Sequence, residues 1–190
     1  MNSNLIQARI TGTRPLLMHS NLLADPLHPK TKIHKELTSK RKKTDEDLES
    51  IAQSEWACGL YIDEKGPYIP GINLEASILA GAKMSRLGKN VGRSVEVIED
   101  RCYIEYKGPK TVEGLWKDQF YDVRGVRIGG RSTIMRYRPI FREWACNITL
   151  AFNGEDINKA DVIKSLQDAG QYVGVGDYRP KFGRFSVEII

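Results

Sequence analysis

Three groups of residues have the types and spacing to do chemistry. The densest is the stretch from 121 to 144, where Arg124, Arg127, Arg131, Arg136, Arg138 and Arg142 face only Asp122 and Glu143. Tyr121, Tyr137, Phe141 and Trp144 are interleaved with them. Guanidinium groups grip phosphate oxygens bidentately and aromatic faces stack on any base, so this mixture suits single-stranded nucleic acid. The plainer alternative is a hairpin whose arginines keep a sheet edge soluble. A second group is "GVGDYRPKFGRF", residues 174 to 185. Gly174, Gly176 and Gly183 permit close backbone approach, and Arg179, Lys181 and Arg184 supply charge, as a phosphate cradle requires. A helix C-cap followed by a turn through Pro180 into a last strand explains the same residues structurally. The third group is His19, Asp25, His28 and His34. Imidazole titrates near neutrality, so acid–base cleavage of RNA is conceivable there, but histidines beside prolines in loops are more often incidental. Their spacing fits no zinc motif, and HExxH and CxxC are absent. GxSxG, Walker A, Rossmann and kinase patterns are also missing, which removes the common nucleotide-handling enzymes.

The elements that must position these groups are legible in outline. "LIQARITGT" alternates apolar and polar residues as a first strand. Residues 31 to 58 contain neither Gly nor Pro and permit helix. The basic half, Lys30 to Lys43, reads as a solvated face or a mobile arm. Thr44 followed by Glu46 and Asp47 marks a helix start, with acids where the dipole favours them. "CGLYIDEKGPYIPG" is a hairpin, and "INLEASILAGAKMSRLG" is a helix that Gly88 closes. "SVEVIEDRCYIEYKG" is a strand or bent pair. "FYDVRGVRIGGRSTIMRYRPIFREW" is a second hairpin, on which Arg136 and Arg138 share a face. Arg127 and Arg131 do so too if no bulge intervenes at Gly129–Gly130. "ACNITLAFN" is a strand, Asn158 to Gln171 an amphipathic helix, and "RFSVEII" the final strand. Helices within a mostly antiparallel sheet give an α+β class, with a ferredoxin-like (RRM-like) core as the leading architecture.

Composition sets the bounds. A chain of 190 residues and 21.5 kDa suits one domain spanning 1–190, with an insertion at 21–58 and an arginine-rich hairpin at 118–145. Lysine and arginine number 29 against 24 acids, a mild excess of five that permits a polyanionic partner without demanding one. No apolar run approaches the roughly 18 residues of a membrane span, and the N-terminus lacks a signal-peptide pattern. Cys58, Cys102 and Cys146 are odd in number and far apart. They read as buried thiols in a reducing, cytoplasmic compartment. No metal or other cofactor is expected.

Two stretches together resemble a family. "GPYIPGINLEASILAGAK" looks like the Pro-x-Ile-Pro-Gly-Ser-Ser-Leu-Lys-Gly signature of the RAMP superfamily, whose members build the crRNA-binding backbones of CRISPR effector complexes. "GVGDYRPKFGRFSVEI" is similar to its glycine-rich loop, and "TGTRPLLMHS" to its first strand and exit. The resemblance implies a ferredoxin-like core that binds RNA along its sheet and helix edge, an intercalating thumb, and head-to-tail assembly with itself or other CRISPR-type subunits. It would place Arg14, Asn73, Ser77, Lys83 and Arg86 on the ligand. The hairpin's Arg124, Arg127, Arg131, Arg136, Tyr137, Arg138, Phe141 and Arg142 would join them as the thumb, with Tyr178, Arg179, Lys181 and Arg184 from the loop. One departure is Glu75, where the signature has lysine. The expectation is therefore a binding protein for single-stranded RNA, or DNA in a stand-alone or phage-borne relative. The alternatives are an endoribonuclease using His19 or Asp25, since some family members cleave with an aspartate after the first strand, or a mimic of a CRISPR backbone acting through protein contacts.

Overall fold

The alternation of the first strand sets the core. In the computed structural model, which describes residues 3–129 and 132–190, β1 (Ser3–Gly12) buries Ile6, Ala8 and Ile10 and exposes Leu5, Gln7 and Thr11. That is the period-two pattern of a sheet covered on one face. β1 pairs antiparallel with β9 (Ala145–Asn153) on one side and with β10 (Phe185–Ile189) on the other. The short β5 (Val95–Val97) pairs with β9, so the sheet order is β10-β1-β9-β5. The register sets Ile6 opposite Leu150, Ala8 opposite Ile148 and Ile10 opposite Cys146, which joins their buried side chains into one apolar face. α3 (Gly71–Met84) and α6 (Lys159–Asp168) pack together, burying Leu74, Ile78, Val162 and Leu166. A Cβ on Gly81 would lie 2.6 Å from the Ser165 carbonyl oxygen, so glycine is what lets these helices approach. Numbered among themselves, the four strands run 4-1-3-2 with a helix after the first and the third. This is the split β-α-β-β-α-β of a ferredoxin-like core, as the sequence pattern leads one to expect.

Two compact units make up the chain, and this core belongs to the first: Met1–Leu16, Ile62–Lys107 and Phe141–Ile190. The same unit holds the expected hairpin, β3 (Ile62–Asp63) and β4 (Gly66–Pro70), joined by β6 (Arg101–Tyr103) in a small sheet of order β3-β4-β6. The run "SVEVIEDRCYIEYKG" is thus a bent pair shared between two sheets. α3 ends before Gly88, because Arg86 adopts a left-handed φ of 62° and the Leu87 N–H returns to the Ala82 carbonyl at 2.9 Å. Gly88 instead opens α4 (Gly88–Ser94).

The second unit, Leu17–Tyr61 and Gly108–Ile140, contains the basic stretch. That stretch is ordered as α1 (Pro29–Ser39), with Pro29 in the first turn and the His28 ring accepting the Lys30 N–H. α2 (Asp45–Gly59) opens on a capping box in which Thr44 and Asp47 each accept the other's backbone N–H. α5 (Val112–Lys117) has no counterpart in the sequence reading, since one turn and a half containing Gly114 leaves no periodicity to find. It opens on Thr111, whose hydroxyl accepts the Gly114 N–H. The hairpin of β7 (Tyr121–Ile128) and β8 (Ser132–Phe141) follows, with β2 (Leu16–Leu17) as the third strand. Trp56 is fully buried here, and its indole donates to the Phe120 carbonyl at 2.8 Å.

Candidate nucleic-acid interface

The glycine-rich loop folds back on the exit of β1. The Val175 N–H donates to the Gly183 carbonyl at 2.9 Å, and the Gly183 N–H donates to that of Pro15 at 2.8 Å. Thr13 and Arg14 both donate their N–H to the Arg184 carbonyl, at 2.8 and 3.2 Å, while the Trp144 indole donates to the Arg14 carbonyl at 3.0 Å. Only glycine serves at 183, where φ is 70° and a Cβ would stand 1.7 Å from the Val175 oxygen. Chain segments some 170 positions apart in sequence therefore bring Arg14, Lys181 and Arg184 to one recess of about 550 Å³, together with Pro15, Pro180 and Phe182. No acid lines it. Beside it, Tyr178 is exposed at a φ of 55°, its N–H held by the Asp177 carboxylate at 2.9 Å. Arg179 is exposed as well.

α3 contributes less than the sequence suggests. Ser77 is fully buried, and its hydroxyl donates to the Gly174 carbonyl at 2.7 Å. It locks the loop to the helix and presents nothing to a ligand. Asn73 is half-buried on the first turn, where the Gly71 N–H is taken by the Asp100 carbonyl at 2.9 Å. Glu75, in the place of the signature lysine, accepts the Val97 N–H at 2.9 Å and so fastens β5. Lys83 and Arg86 are exposed at the opposite end of the helix.

One face of the hairpin carries arginines, and the other carries its rings together with Arg127. The register sets Arg124 opposite Arg136 and Asp122 opposite Arg138, so three arginines share a face, as expected for Arg136 and Arg138. Arg124 and Arg136 meet carboxylates within the unit. Asp122 accepts Nε and Nη2 of Arg124 at 2.5 and 2.6 Å, and Glu55 accepts Nη1 of Arg136 at 2.5 Å. Like charges directly opposite on a ladder repel, and these carboxylates offset that cost. Arg138 is half-buried. On the other face Tyr121 and Tyr137 stack with Trp116, at centroid distances of 4.8 and 6.3 Å, and Trp116 with Trp56 at 5.3 Å. Arg127 is exposed, as are Val123, Ile134 and Met135. Phe141 is fully buried against Tyr106 in the first unit, which corrects its reading as a stacking residue. Arg142 is exposed in that unit, and Arg131 lies outside the described residues.

Asp25, His28 and His34 are tied into local structure through their side chains, and His19 through its backbone carbonyl. The His19 carbonyl accepts the Tyr61 hydroxyl at 3.5 Å, Asp25 accepts the Leu27 N–H at 2.9 Å, and His34 meets the Ser54 hydroxyl at 3.1 Å. Among the described residues no group of His, Cys, Asp or Glu is arranged to hold a metal ion, and no helix is long and apolar enough to cross a membrane. The open face of the main sheet carries no aromatic side chain among the described residues. Its Arg9 is paired bidentately with Glu105, at 3.0 and 2.6 Å. The hydrogen bond from Arg9 holds the Glu105 carboxyl below its ordinary range. Sequence reasoning missed a second cleft, of about 960 Å³, which adds Lys164, Gln167 and Gln171 of α6 and the following π-helical turn (Ala169–Val173) to Arg14 and Arg184. On the helix these look like an ordinary solvated stripe, and only the sheet edge beneath makes them a wall.

No family model and no curated protein matches the sequence. Solved structures do resemble it. Cmr6 from Pyrococcus furiosus aligns over 98% of this chain and 99% of its own, at 11% identity and a TM-score of 0.43. A chain of a Type III-B Cmr-beta complex bound to cognate target RNA aligns over 99% of this chain at 11% identity and a TM-score of 0.54. This chain spans 61% of that chain's length. The likeness to that second chain is one of fold.

Proposed function

We propose that the protein binds single-stranded nucleic acid, RNA before DNA, as a subunit of a CRISPR-type ribonucleoprotein. The carrying observation is the convergence of Arg14, Lys181 and Arg184 on one recess without an opposing carboxylate. Three cations in that arrangement suit successive phosphates of a strand, and their counterion release is the main source of affinity. Tyr178 and Arg179 beside the recess offer a ring for stacking and a further cation. The hairpin, with exposed Arg127, Val123 and Met135, suits insertion between nucleotides more than phosphate gripping, because Arg124 and Arg136 already have carboxylate partners. The fold's likeness to a chain in an assembly bound to target RNA favours RNA as the ligand and other CRISPR-type subunits as partners. Head-to-tail self-association along the strand and a cytoplasmic location belong to the same reading.

Fluorescence anisotropy with labelled single-stranded RNA and DNA tests it. The Arg14→Ala/Lys181→Ala/Arg184→Gln protein should bind at least about tenfold more weakly than wild type. The slope of log affinity against log salt should be shallower by about 2, since each single-strand phosphate contact contributes about 0.7. Wild-type protein that binds neither polymer at low salt, or a triple variant with unchanged affinity, overturns the reading.

A further inference from the structure

The cleft at the edge strand β10 is larger than a phosphate needs, and its walls differ in chemistry. Its volume is about 960 Å³, and it is open to solvent. One wall is β10 with the exit of β1, carrying Arg14 and Arg184 beside the apolar Phe185 and Val187. The other is the surface of α6 and the turn after it. There Lys164, Gln167 and Gln171 stand at i, i+3 and i+7, the spacing that puts side chains on one helical face. Asp168 is the one acid among the lining residues, and its carboxylate accepts from the Lys164 ammonium at 2.8 Å and the Ser85 hydroxyl at 3.1 Å. The two glutamines are exposed, and among the described residues their amides have no hydrogen-bond partner. Arg14 and Arg184 belong to this cleft and to the recess of Lys181 alike, so they form the ridge between the two.

We propose that this cleft is a base-reading subsite for adenine. The inference rests on the strand-binding reading above: a phosphate seated on the Arg14–Arg184 ridge sends its base into the cleft, over the half-buried Val187, against the glutamine amides. A carboxamide carries a donor and an acceptor side by side. Adenine's amino group, flanked by the acceptors N7 and N1, meets that pair bidentately on either edge; uracil and cytosine can also meet a carboxamide, but the larger purine covers more of a cleft this size. Unstacked bases of single strands are open to this kind of readout, which the phosphate grip alone does not provide. The protein is thereby expected to combine a sequence-tolerant grip with a preference at one position.

The experiment compares labelled oligo-A, oligo-C and oligo-U of equal length on wild type and on the Gln167→Ala/Gln171→Ala protein. Both side chains are exposed, so folding is not at stake. Wild type should favour oligo-A by about fivefold or more, the lower end of what a good bidentate base contact supplies. The double variant should bind oligo-A only as tightly as wild type binds oligo-U. If wild type binds none of the three, the strand-binding reading itself fails. If it binds all three equally, prefers another base, or keeps its preference for oligo-A in the double variant, strand binding stands and the base-reading subsite is overturned.

Discussion

Asp63 is held ionised by its neighbours. Its Oδ2 accepts from the Tyr103 hydroxyl and the Arg101 guanidinium, both at 2.6 Å, and its Oδ1 from the Lys65 N–H at 2.8 Å. These bonds, the tyrosine's first, lower its pKa from 3.8 to about 2. A carboxylate whose folded pKa is depressed contributes stability that is fully present above the unfolded value and lost as pH falls toward the folded one. The Asp63→Asn protein should therefore lose less stability than wild type between pH 3.8 and about 2, read as the shift of its denaturation midpoint with pH. Nothing in the sequence marks this residue, because its side-chain partners come from β6, 38 and 40 positions away. Residues with local duties were easier to read. The cap at Thr44 needs only its own next three positions.

At the scale of elements, the loop from Gly174 to Arg184 joins architecture to binding. The Gly183→Ala protein must accommodate a Cβ against the Val175 oxygen at a φ of 70°, and should lose at least about 2 kcal/mol of stability in denaturant titration. Binding should weaken with it, because Gly183 fixes Pro15 and hence the bearing of Arg14. The sequence reading valued these glycines for architecture, and the hydrogen bonds show why. The hairpin went differently. Its strands and the shared face of Arg136 and Arg138 were legible from alternation, but the state of its charges was not. Arg136 meets Glu55 across 81 positions of sequence, and no local pattern reports such a pair. The basic stretch after the first strand, read as a solvated face or a mobile arm, is a mostly exposed helix that Pro29 and His28 start.

At the scale of the whole molecule, each unit keeps its thiols out of water. Burial raises the pKa of Cys58, pushes Cys102 up to about 12 and raises Cys146 further. The thiolate is the reactive form. Native protein should therefore take up no maleimide label at neutral pH and three per chain in denaturant, counted by mass spectrometry. Period-two and period-3.6 patterning, caps and glycines are properties of neighbouring residues, so the sequence by itself determined the order of the core strands and helices and with it the α+β class. The same residues carried the resemblance to a ferredoxin-like fold. Which cations are available to a ligand was decided only by tertiary structure. Arg124 and Arg136 are matched by carboxylates, whereas Arg14, Lys181 and Arg184 meet at a recess lined by none. Charge pairing depends on separation in space and on the dielectric between the groups. Both are set by strand register and chain return, which place residues more than 160 positions apart side by side.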